Sequence, residues 1–162
     1  IYNYYESKAD LLSDTIESIW HEIFFHPEDE QIFHDVESCI SWIYERLEYG
    51  NRQFPGFFSL HSFGFMRDEK TSGKKRMMKT WGHILNGLCE VLENDPKVRA
   101  DVFDQEFTEK KFADILFSLI LVSMIRQDYD PSSVLMLVKK TLYVTVQSQA
   151  KFQKTGVKCL HF

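Results

Sequence analysis

The chain has few of the residues that break or staple a fold. It carries only four prolines and seven glycines in 162 residues, and no stretch alternates apolar and polar residues as a strand would. Nearly continuous helix is the expectation. Three cysteines, Cys39, Cys89 and Cys159, stand far apart with no C-x-x-C pair. That spacing argues against a disulfide framework and a structural zinc, and fits reduced thiols in the cytoplasm. No signal peptide is visible. The longest apolar run, FADILFSLILVSMI at 112–125, falls short of the about 20 residues a bilayer requires. It reads as a helix buried on more than one side, and no membrane partner is expected. Basic excess is missing too: 19 Lys and Arg face 24 Asp and Glu, a net charge of −5. These residues are therefore a poor candidate for non-specific nucleic-acid binding through bulk charge. No G-x-S-x-G, H-E-x-x-H, P-loop or dinucleotide fingerprint occurs, so neither an enzyme nor a cofactor is expected. His21 and His26 flank Glu22 with poor spacing for one helix face, and no metal site is expected.

What is present is helical periodicity and phenylalanine. A first helix starts at Ser7, a good N-cap with Asp10 three residues later, and carries an inner stripe of Leu11, Leu12, Thr15, Ile16, Ile19, Trp20 and Ile23. HPEDE at 26–30 breaks it. A second helix is expected over about 29–50, with Ile32, Val36, Cys39, Ile40, Ile43 and Leu47 inward and Gly50 and Asn51 as stop signals. A short, Phe-dense helix follows Pro55. The charged stretch RDEKTSGKKR at 67–76 leads into a longer helix ending near Glu93; its KKR reads as a solvated helix start or an anion contact. Pro96 is expected to open a short helix to Phe103, Thr108 to cap the helix holding 112–125, and Asp130–Pro131 to start a last helix reaching about Lys151.

The last two long helices are apolar over most of their circumference, where a surface helix needs a single stripe. One reading buries both inside their own chain. The favoured reading is an isologous homodimer in which two helices from each copy form a four-helix bundle through Phe117, Leu121, Met124, Leu135, Val138 and Leu142.

The opening IYNYYESKADLL resembles the end of the helix-turn-helix in TetR-family transcriptional regulators. That family's pattern is an aliphatic residue, Tyr, any residue, Tyr or His, an aromatic, two residues, Lys, two residues, Leu. Ile1, Tyr2, Tyr4, Tyr5, Lys8 and Leu11 match it in order. The resemblance implies an all-α, TetR-like multi-helix effector domain over 13–162. Residues 1–12 would be the remnant of a DNA-binding domain whose earlier helices precede this chain. It implies that Tyr2, Asn3, Tyr4 and Lys8 meet operator DNA, where hydroxyl and ammonium groups suit phosphate contacts. Alternatively, the two tyrosines are partly buried core residues and Lys8 is a solvated helix-start lysine. Function is expected to be that of a ligand-responsive DNA-binding regulator, a repressor released by a small molecule. The alternative is an all-helical interaction module without a ligand.

The resemblance places the effector pocket between the middle helices. Candidate walls for a small apolar or amphipathic effector are Trp42, Phe57, Phe58, His61, Phe65, Met78, Trp81 and Leu85, because such pockets are mostly apolar with a few orienting polar groups. The same residues also fit a plain core. Gly56, Gly64, Gly82 and Gly87 suit either close helix approach or room for a ligand.

Overall fold

The computed structural model describes residues 8–24, 33–58 and 72–143. Their elements are α1 (Lys8–Phe24), α2 (Val36–Gln53), α3 (Ser72–Asn94), α4 (Glu109–Arg126) and α5 (Ser132–Val138), which runs on into a π-helical turn at Lys139–Tyr143. No strand occurs among the described residues. The regular structure of the described residues is all helical.

Local chemistry sets the ends. Asp35 lies in extended backbone and caps α2, accepting the Ser38 N–H at 2.7 Å. The first N–H of the helix, on fully buried Val36, is taken by Asp95 Oδ2 at 2.9 Å. Two carboxylates thus serve the positive end of the α2 dipole. Lys97 pairs with Asp35 at 2.8 Å and with Glu37 at 3.3 Å, and Lys139 reaches Glu37 at 3.2 Å. The Lys97 ammonium, then the Ser38 amide, hold the Asp35 carboxyl down at about 2. That contribution to stability is present above the ordinary carboxylate range and is lost as pH falls toward 2. Helix α2 therefore begins several residues later than the sequence suggests, at the position where Asp35 and Asp95 can satisfy it. Thr108 caps α4 as expected, accepting from the Lys111 N–H at 3.3 Å. Gln127, in the left-handed region with φ 52°, ends it, and the Asp128 N–H closes on Ser123 O at 3.1 Å.

The helix expected over 96–103 does not form; turns and bends replace it. Asp95 Oδ1 draws in the Lys97 N–H at 2.9 Å. The Arg99 N–H then leaves the local ladder and donates to Leu142 O at 3.0 Å, with Arg99 Nη2 on Thr141 O at 3.2 Å. The Arg99 donors thus go to the π-helical turn, while the Val98 and Val102 N–H groups close local turns on Asp95 O and Arg99 O. Asp104 accepts the Glu106 and Phe107 N–H groups, a tight loop that sets Phe103 and Phe107 against Phe112 at 5.9 and 6.0 Å.

The core runs between all five helices, α3 contributing Leu88 and Leu92. Ile16, Trp20 and Ile23 of α1, the expected inner face of α2 from Val36 to Leu47, and Phe112, Leu116, Ile120 and Met124 of α4 are buried in it. Leu11 departs from the expected stripe: it is exposed, and Thr15 turns its hydroxyl back to Leu11 O at 2.9 Å. In α4 the buried residues recur at three- and four-residue spacing, while Ile115, Val122 and Ile125 are exposed on the opposite face. The Tyr44 hydroxyl and Ser123 Oγ share a hydrogen bond of 2.7 Å on the buried side. Met124, Val138 and Leu142 point into the core of a single copy, with relative exposures of 2%, 0% and 0%. Phe117, Leu121 and Leu135 are partly buried against that core. The exposed large apolar side chains on these helices are Ile115, Val122 and Ile125 of α4 and Met136 and Leu137 of α5.

Gly50 is not a stop signal. It lies inside α2 where α1 crosses, and a Cβ there would meet Ile23 Cδ1 at 2.7 Å and Phe58 Cζ at 3.1 Å. Alanine would gain about 1 kcal/mol of helix propensity. Ile23 is fully buried and has no solvent to swing into, so overpacking of about 1–3 kcal/mol outweighs that gain. Gly50→Ala is expected to lower stability by about 1 kcal/mol net in urea denaturation. A rise in midpoint would show that the crossing relaxes freely.

Candidate functional site

A cleft of about 590 Å³ opens between the end of α1, the start of α2 and the second half of α3. Phe24 closes one side. Phe33 and, from α2, Cys39, Trp42 and Ile43 form the second wall. The third is the α3 face at Ile84, Gly87, Leu88, Val91 and Asn94, a helical stripe of three- and four-residue steps. His83, Glu90 and Asn94 are exposed residues and bring the polar groups to this lining. A Cβ built at Gly87 meets nothing within 4 Å, so this glycine leaves space in the wall.

The aromatic rings form one connected set. Trp42 lies 5.3 Å from Phe33 and 6.1 Å, edge-on, from Phe24. Phe24 stacks on Trp20 at 5.7 Å, and Trp20 touches Phe57 and Phe58, each at 5.5 Å. The cleft wall is therefore continuous with the core of α1. The same end of α1 is fastened to α2. Arg46 donates to Ile23 O at 2.5 Å and Glu22 O at 3.0 Å, with its guanidinium 4.4 Å from the Tyr49 ring centre. A cation on the last carbonyls of a helix complements its dipole.

Burial, then the charge of Asp35, pushes the Cys39 thiol up to about 12. It stays protonated at neutral pH and is a packing group in this wall. No three His, Cys, Asp or Glu side chains among the described residues could hold a metal ion. No helix among them is long and apolar enough to cross a membrane.

Of the effector candidates, Trp42 lines the cleft. Phe57 and Phe58 are buried behind it against Trp20. Trp81 packs edge-on against Phe117 of α4 at 5.7 Å, and Leu85 packs on the core. Met78 is more than half exposed. These five residues are absent from the cleft lining, because they face α4, the core or solvent. His61 and Phe65 lie outside the described residues, as do Tyr2, Asn3 and Tyr4; Lys8 is the first residue of α1. Sequence reasoning missed Phe24, Phe33, His83 and the stripe from Ile84 to Asn94. Gly87, in register with that stripe, was the available signal.

Compared with protein-family models, with curated proteins and with solved structures, the chain matches none of them.

Proposed function

We propose that this chain is the sensing and pairing part of a ligand-responsive transcriptional regulator of the TetR type. The observation that carries the reading is the course of α1. Its first residue, Lys8, belongs to the motif that resembles the DNA-binding end of that family, and its last, Phe24, lines the apolar cleft. A helix of 17 residues is a rod of about 25 Å. A ligand wedged against Phe24 and Trp42 would tilt that rod about its Arg46 fastening. A tilt of about 10° moves the far end by about 4 Å over that length. Two headpieces must match half-sites about one helical turn of DNA apart, so a shift of this size disfavours the DNA-bound arrangement. The exposed apolar residues of α4 and α5 supply a face for pairing two copies.

The same exposed residues also favour the second reading, an all-helical interaction module without a ligand. Selection from random-sequence duplexes by the full-length protein separates the two. The regulator reading expects enrichment of an inverted repeat with half-site centres about 34 Å, or a multiple of that, apart. Failure to enrich any sequence would remove it and leave the module.

A further inference from the structure

The aromatic cleft carries fixed charge of one sign. Among the described residues that line it there is no Lys or Arg, and the carboxylate is Glu90. Glu90 is exposed, and its carboxylate meets no partner among the described residues. One turn on, Asn94 donates from Nδ2 to Glu90 O at 2.8 Å and keeps its amide oxygen as an acceptor. Both residues belong to one end of the α3 stripe. His83 stands at the other, seven residues before Glu90 and about 10 Å of helix rise away. In the facing wall, after burial, the charge of Asp35 opposes a thiolate at Cys39. A field that disfavours an anion there favours a cation.

We propose that the cleft takes an aromatic amine in its ammonium form, the cation at the Glu90–Asn94 end and the flat body against Trp42 and Phe33; the inference rests on the reading of the cleft as a ligand site. Trp42 and Phe33 are half-buried and incline at 54°, and Phe24 meets Trp42 at 61°. The three rings thus form a corner rather than a flat stack. Ring faces attract a cation through their quadrupole and an aromatic body through contact. The α3 wall is aliphatic on either side of the gap at Gly87, which gives a flat body room to enter. A neutral ligand would gain these walls and leave the Glu90 carboxylate unpaired. An anion would meet that carboxylate with no Lys or Arg among the described lining residues to offset it. The polar end therefore fixes orientation as well as class. The volume of about 590 Å³ sits in the range of about 300–1,000 Å³ usual for small-molecule sites.

The test is calorimetric titration of the full-length protein with three probes of one shape: 1-naphthylmethylammonium, 1-naphthalenemethanol and 1-naphthoate. The ammonium is expected to bind at least about fivefold tighter than the alcohol, and the carboxylate more weakly than either. Glu90→Gln, at an exposed position that spares the core, should weaken the ammonium by about threefold and leave the alcohol unchanged. Gly87→Leu should fill the cleft and weaken all three, while its melting temperature reports that the fold is kept. Equal binding of ammonium and alcohol, tightest binding of the carboxylate, or an ammonium affinity indifferent to Glu90→Gln overturns the cation assignment and leaves the cleft as a site. Failure of all three probes to bind, or binding that Gly87→Leu leaves unchanged, overturns both.

Discussion

Trp20→Ala is expected to cost about 3–5 kcal/mol of stability, the range for deleting a large buried aromatic. Trp20 is 1% exposed and makes ring contacts with Phe24, Phe57 and Phe58. Its removal would leave a void between α1 and the chain after α2, walled by Ile23 and rings too large to collapse into it. Trp20→Phe isolates the chemistry from the volume. The indole N–H is buried without a hydrogen-bond partner, so replacing it forfeits no bond and relieves an unsatisfied donor. That variant should cost only about 1–2 kcal/mol from lost contact. Urea denaturation of the two variants checks the difference. Equal losses would mean that the N–H finds a partner in solution and that the polar term, not the volume, governs this position.

The second large effect is at Asp95. Its buried carboxylate accepts the Val36 N–H, the Lys97 N–H and the Tyr143 hydroxyl, and so ties α2, the 95–107 connection and the π-helical turn together. Asp95→Ala strands the Val36 and Tyr143 donors away from water. At about 1–3 kcal/mol for each, the expected loss is about 3–5 kcal/mol. Tyr143→Phe removes a donor and leaves Asp95 with two backbone partners, for about 1 kcal/mol. The double variant should cost less than the sum of the singles, because the second change removes an orphan left by the first. Additive losses in a double-mutant cycle would break the proposed coupling. The alkaline limb gives an independent check. Burial, then the neighbouring Asp95 carboxylate, raises the Tyr143 hydroxyl well above its ordinary value. Above about pH 10 the unfolded chain releases this proton and the folded one keeps it, so stability falls as pH rises. Tyr143→Phe should flatten that limb.

Much of this architecture was legible because it is local. The inner face of α2 and the Thr108 cap follow from spacing and from one hydroxyl in place. The 95–107 connection was not legible, since its outcome depends on Asp95 reaching Val36 and on Arg99 reaching Leu142, partners distant in sequence. The cleft was legible only in class. An aromatic residue at helical spacing reads the same whether it faces a neighbour or a hole, and only packing tells Trp42, which lines the cleft, from Trp81, which meets Phe117. Met78 and Leu11 show the reverse error, apolar residues that the fold leaves outside.

The two-faced character of α4 has a consequence for how its setting is chosen. Rotating the helix by half a turn about its axis would bring Ile115, Val122 and Ile125 inward, but Lys111, Asp114 and Ser118 with them. The Tyr44–Ser123 hydrogen bond adds to that discrimination, since rotation would strand a tyrosine hydroxyl in the core. Polar side chains thereby decide which apolar face of α4 is buried and which stays exposed.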